Sequence, residues 1–103
     1  MQRGFGHTTV LEQNDAITLV RIQYDNGVRV ALESNDFTYG FSVAILDNFL
    51  VIISKMGGWR NTSYKNIQLP AEQARKLYGQ LMAIQNSEQF GDLFIRLTSQ
   101  YQP

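Results

Sequence analysis

Short polar turn signals, set between runs of alternating apolar residues, constrain this chain more than any other feature. Asp25-Asn26-Gly27, Asn35-Asp36 and Asp47-Asn48 each separate two β-rich stretches, a pattern that folds as consecutive antiparallel strands. Register matters next, because a one-residue slip moves every side chain of a strand to the opposite face. A two-residue Asn26-Gly27 turn would oppose Val28 to Asp25 and Val30 to Gln23, mixing polar and apolar groups. A three-residue loop with Gly27 left-handed opposes Val28 to Tyr24, Val30 to Ile22 and Leu32 to Val20, which sorts the faces. A two-residue loop at Asn35-Asp36 opposes Leu32 to Tyr39, Val30 to Phe41 and Val28 to Val43. Asp47-Asn48 opposes Ile45 to Leu50 and Val43 to Ile52. The three turns then agree on one apolar face: Val20, Ile22, Tyr24, Val28, Val30, Leu32, Tyr39, Phe41, Val43, Ile45, Leu50 and Ile52. Agreement between turn chemistry and pattern predicts a meander of at least four strands.

Two more strands are expected, Thr8 to Gln13 before Asn14-Asp15, and Ser63 to Leu69 returning from the Gly57-Gly58 bend. Pro70 then suits a first helical turn, with Glu72 favourable near the N-terminus. Ala74, Leu77, Tyr78, Leu81 and Ile84 recur at helical spacing. Ser87 is the expected cap of a second helix in which Phe90, Leu93, Phe94 and Leu97 form one stripe. The predicted fold class is α+β: an antiparallel β-meander of four to six strands, about 8–69, followed by one or two C-terminal helices, about 70–99, packed on one sheet face. All 103 residues form one domain in this reading.

A chain of this length, 44% hydrophobic, has enough apolar material for a core. It has no cysteine, which excludes disulfides and thiolate chemistry. The longest apolar run, Val43 to Ile53, is interrupted by Asp47 and Asn48, so no span of the roughly 20 residues a membrane helix needs is present. Residues 1–7 do not read as a signal peptide, and a cytoplasmic location is expected. The nine basic and nine acidic residues balance overall but not locally. Three basic residues face six acidic ones over 1–47, and five face one over 48–80. A globally basic nucleic-acid binder is disfavoured, while a local basic surface is not.

Two features carry the functional expectations. In the register above, the second sheet face holds a contiguous apolar cluster of Ala44, Leu46, Phe49, Val51 and Ile53 beside polar Arg21, Gln23, Arg29 and Glu33. Either the second helix or the N-terminal segment covers it, or it is an interaction surface, with Leu46, Phe49, Val51 and Ile53 as a possible homodimer seam. The other feature is the stretch from Lys55 to Lys65, with the only tryptophan, Trp59, after two glycines and beside Arg60 and Tyr64. Tryptophan, tyrosine and arginine are the residues enriched at binding hot spots, and rings with cations also suit single-stranded nucleic acid. The alternative for Trp59 is a ring folded back onto the core, since tryptophan is well buried on average.

Reaction chemistry has little to stand on. His7 is the sole histidine, no cluster has metal-ligand spacing, and Asp25, Asp36 and Asp47 sit in turns where local backbone bonding is their ordinary role. No cofactor or metal is implied. Gly57-Gly58-Trp59-Arg60, Lys65-Asn66-Ile67-Gln68-Leu69 and the Pro70-Ala71-Glu72-Gln73 helix opening give span 37–85 a look similar to the single-stranded-DNA-binding transcriptional coactivator fold. The chain departs from it in its neutral charge, its additional C-terminal helix and its additional strands. The expected function is that of a small non-enzymatic binding protein acting by occupying a macromolecular partner, as regulator, inhibitor or assembly subunit. Lys55, Trp59, Arg60, Tyr64 and Lys65 are the expected contacts. A protein partner is preferred, and a single-stranded nucleic acid using the same loop is the alternative.

Overall fold

The computed structural model describes residues 6–57 and 61–101. Six strands follow one another in the order β1 (His7–Gln13), β2 (Ile17–Tyr24), β3 (Gly27–Ser34), β4 (Tyr39–Leu46), β5 (Phe49–Met56) and β6 (Thr62–Gln68). Each pairs antiparallel with its sequence neighbour, so spatial order equals chain order. Helices α1 (Ala71–Met82) and α2 (Ser87–Gln100) complete the α+β chain. Both pack on one face of the sheet, here called the front, against β3 and β4.

The front face and the helices share one core. Leu19, Val28, Val30, Val43, Ile45, Leu50 and Ile52 meet Ala74, Leu77 and Leu81 of α1 and Phe90, Leu93, Phe94 and Leu97 of α2. Phe41 and Phe94 stack at 4.7 Å between ring centroids. The apolar stripes of the two helices are therefore spent here, each buried side chain stabilising by roughly 1.5–3 kcal/mol.

The third hairpin has the expected register, with Ile45 opposite Leu50 and Val43 opposite Ile52. The second keeps the expected face but is longer by two, opposing Leu32 to Phe41 and Val30 to Val43. The extra residues are held by Asp36, whose carboxylate accepts from the Thr38 N–H and hydroxyl and from Ser34 Oγ. Phe37 adopts φ 62° in this loop and is 68% exposed.

The first hairpin departs most. Its loop is Asp25-Asn26, with Tyr24 opposite Gly27, Val28 opposite Gln23, Val30 opposite Arg21 and Leu32 opposite Leu19. Val20, Ile22 and Tyr24, expected in the core, lie on the other face, while Arg21 and Gln23 point at the helices. The physical reason is in the helix ends. Arg21 Nη1 donates to the carbonyls of Met82 and Ile84, both at 2.9 Å, which closes the C-terminus of α1. Gln23 donates to the Tyr78 hydroxyl. Gly27 is needed for close approach, not for a left-handed φ: a Cβ there would lie 1.8 Å from the Ile45 carbonyl oxygen.

The same device recurs twice. Neither helix has a basic residue in its last turn. Lys65 on β6 donates to the carbonyl of Tyr101, the C-cap of α2, at 3.1 Å. Glu12 on β1 accepts from the Ser87 N–H at the N-terminus of α2. The sheet thus supplies a charge of the favourable sign to three helix ends. Asn86, not Ser87, caps α2, its side chain accepting from the Gln89 N–H at 2.9 Å. Ser87 is instead the first helical residue, its N–H engaged by Glu12.

Candidate functional site

Both helices are on the front and neither covers the back of the sheet; Gly6 lies against Ile22 and Tyr24 at its β2 side, and the rest of the N-terminal segment lies outside the described residues. Strand pairing fixes which side chains share it. Val10, Val20, Ile22 and Tyr24 stand on β1 and β2. Arg29, Ala31 and Glu33 follow on β3, and Gly40, Ser42, Ala44 and Leu46 on β4. Phe49, Val51, Ile53 and Lys55 come from β5, and Thr62, Tyr64 and Asn66 from β6.

The relief of this face comes from side-chain size. β4 presents Gly40, Ser42 and Ala44 along its middle, whereas the strands on either side present Arg29 and Glu33, and Val51, Ile53 and Lys55. Two adjoining depressions result. One of about 400 Å³ is walled by Tyr24, Leu46, Val51, Ile53 and Tyr64 over a floor of Ser42 and Ala44. The other, of about 240 Å³, lies toward Glu33, Lys55 and Thr62. Arg29, Ser42 and Ile53 line both. Phe49 and Tyr64 stand at the rim, 42% and 62% exposed.

Charge on this face is arranged unequally. Lys55 Nζ lies 2.8 Å from Glu33 Oε2. Arg29 Nε donates to Ser42 Oγ at 3.1 Å, and no described carboxylate makes an ion pair with Arg29. Among the described residues no group of three His, Cys, Asp or Glu side chains is placed to hold a metal ion. His7 is exposed on β1. Asp47, at φ 54° in its turn, accepts from Asn26 Nδ2.

The residues expected to make contact fare differently. Leu46, Phe49, Val51 and Ile53 come together on the back face, Leu46 opposite Phe49, and the C-terminal helices do not cover them. Lys55 and Tyr64 share that face. Lys65 does not: it points to the front and closes α2, so it is no longer available as a phosphate contact. Trp59 and Arg60 lie outside the described residues. Sequence reasoning missed Arg29 as the centre of the face and Tyr24 as part of its wall. The register error hid Tyr24. The signal for Arg29 was present in Ser42 and Ala44, small residues directly across from Ala31 and Arg29.

No family model, curated protein or solved structure matches this chain. The likeness to the coactivator fold therefore rests on its sequence features alone, and the six-stranded meander extends beyond the span that showed it. No helix of the described residues is long and apolar enough to cross a membrane.

Proposed function

We propose that this chain is a non-enzymatic binding protein that occupies a protein partner through the open back face of its sheet. One observation carries the reading: among the described residues, the apolar centre of this face is left open by a fold that has already committed both helices to the other side. Six strands spaced by about 4.8 Å, each seven or eight residues long at about 3.3 Å per residue, give a footprint of roughly 600 Å². A standard protein interface takes about 800 Å² of accessible surface from each partner, so the area suits a protein. The docking segment should be apolar, to match Leu46, Val51 and Ile53, with Phe49 and Tyr64 as rim anchors.

Single-stranded nucleic acid is the second reading, favoured by the rings of Tyr24, Phe49 and Tyr64 on one sheet face. The cations argue against it. Among the cations described on this face and its β6 edge, Lys55 is ion-paired to Glu33 and Lys65 is engaged by α2, which leaves Arg29 for a phosphate.

The test is site-specific photo-crosslinking in cells that make the protein. A crosslinking residue at Tyr64, on the back face, should give a protein adduct that one at Arg75, exposed on α1, does not. The adduct's partner, once purified, should bind the parent chain and lose at least ten-fold affinity to Val51→Glu. Equal adducts from both positions would reject the sheet face. A labelled oligonucleotide whose binding falls with salt at a log–log slope near −2, about three phosphate contacts, would favour nucleic acid instead. Light scattering separates self-association: a dimer that Val51→Glu turns into a folded monomer would assign Leu46, Phe49, Val51 and Ile53 to a second copy.

A further inference from the structure

We infer that the back face selects an extended segment in which one acidic side chain is flanked by apolar ones, and that Arg29 reads the acid. This rests on the sheet-face reading above and names the chemistry of its partner. The two depressions lie end to end along β3, β4 and β5, from the Tyr24 and Leu46 end to the Glu33 and Lys55 end. The paired stretch of β3 from Gly27 to Glu33 runs along them, and at about 3.3 Å per residue it is roughly 20 Å long, room for about six residues of extended chain.

Charge decides what that segment carries. At one end Glu33 and Lys55 neutralise each other. In the middle, Arg29 borders both depressions. Its Nε is fixed on Ser42, which orients the guanidinium while its outer N–H groups have no described carboxylate. Those groups match a carboxylate in two parallel hydrogen bonds. The surroundings, Ala44, Val51, Ile53 and Tyr64, hold little water to screen such a pair once a ligand covers it. The apolar depression beside Arg29 then takes the neighbouring side chain of the segment. Selectivity for an acid next to an apolar residue follows from the adjacency of the two.

The experiment is selection of a random displayed peptide library on the immobilised full-length chain. Peptides that bind the parent and not Val51→Glu should be enriched in Asp or Glu at one position between aliphatic or aromatic residues. A synthetic consensus peptide should lose about ten-fold affinity or more when its acid is replaced by the amide. Arg29→Gln should bind the acid and amide peptides equally. Arg29 faces away from the core, so its variant should melt close to the parent, and circular dichroism checks this. Val51-sensitive peptides without an acidic position, or an acid-to-amide loss that is unchanged in Arg29→Gln, would overturn the inference while leaving the sheet-face reading in place. A library yielding no Val51-sensitive peptide, or a face closed by a second copy of the chain, would overturn both.

Discussion

Arg21 shows how one side chain can decide a register. On composition alone it belongs outside, yet its guanidinium meets the carbonyl of Met82, the last residue of α1, and that of Ile84 just beyond it, at 2.9 Å each. A hydrogen bond to a charged group contributes about 1.5–3 kcal/mol, and its loss leaves part-buried carbonyls without a partner. Arg21→Met should therefore destabilise the protein by about 2 kcal/mol, read as a lower urea midpoint with an unchanged slope. Glu12 makes the corresponding contact at the start of α2. The hydrogen bonds from Ser87, backbone first, hold its carboxyl below the usual glutamate range. A depressed folded-state pKa contributes stability that is present above the ordinary carboxylate value and lost as pH falls through the lowered one. Glu12→Gln should accordingly flatten the acid side of the stability–pH profile, leaving less to lose below the ordinary glutamate range. Thermal melts from pH 7 down to pH 3 measure it, and parallel profiles for the two proteins would show that the contact contributes nothing.

At the scale of strands, the two candidate registers of the first hairpin make opposite forecasts. Leu19 is fully buried in the front core, while Ile22 is on the open back. Leu19→Ala should cost about 2–5 kcal/mol. Ile22→Ala should cost roughly 1 kcal/mol or less, since its site is only partly enclosed. A larger loss for Ile22→Ala than for Leu19→Ala in chemical denaturation would reinstate the register drawn from the turns alone. Much of the meander was legible because turn chemistry is local: Asp47-Asn48 gives the third hairpin outright, and Thr8 and Ser63 begin stretches that pair as strands. The second loop was legible in face but not in length, because Asp36 gathers Ser34 and Thr38 into a longer turn that no alternation of apolar residues records. The first was misassigned because sorting polar from apolar assumes polar groups want water. Arg21 and Lys65 bond to helix C-termini and Gln23 to the Tyr78 hydroxyl, partners that lie 36 to 63 positions away in the chain. The same long-range demand moved Lys65 out of the expected contact set and left Leu46, Phe49, Val51 and Ile53, which answer only to their local alternation, where the sequence put them.

The whole molecule is a sheet made from the first two-thirds of the chain and a cover made from the last third. Removing α2 alone exposes Phe90, Leu93, Phe94 and Leu97's partners on the sheet, a loss of roughly 6–12 kcal/mol at about 1.5–3 kcal/mol per side chain. That is comparable with the entire stability of a domain, about 5–15 kcal/mol. A chain ending at residue 70 should therefore fail to hold its sheet in isolation, and light scattering should find it aggregated where the full chain is not. This order of parts also sets a schedule for biosynthesis. All six strands leave the ribosome before any residue that will cover them, so for the time needed to translate 71–100 the nascent chain carries apolar surface on both sides of every hairpin it has formed. Hairpins of consecutive strands close quickly on the nascent chain, but none can be sealed until 71–100 has been made. The chain's dependence on holding chaperones should be concentrated in that interval, and slowing elongation over the codons for 71–100 should lower the yield of soluble protein more than the same delay placed in the strands.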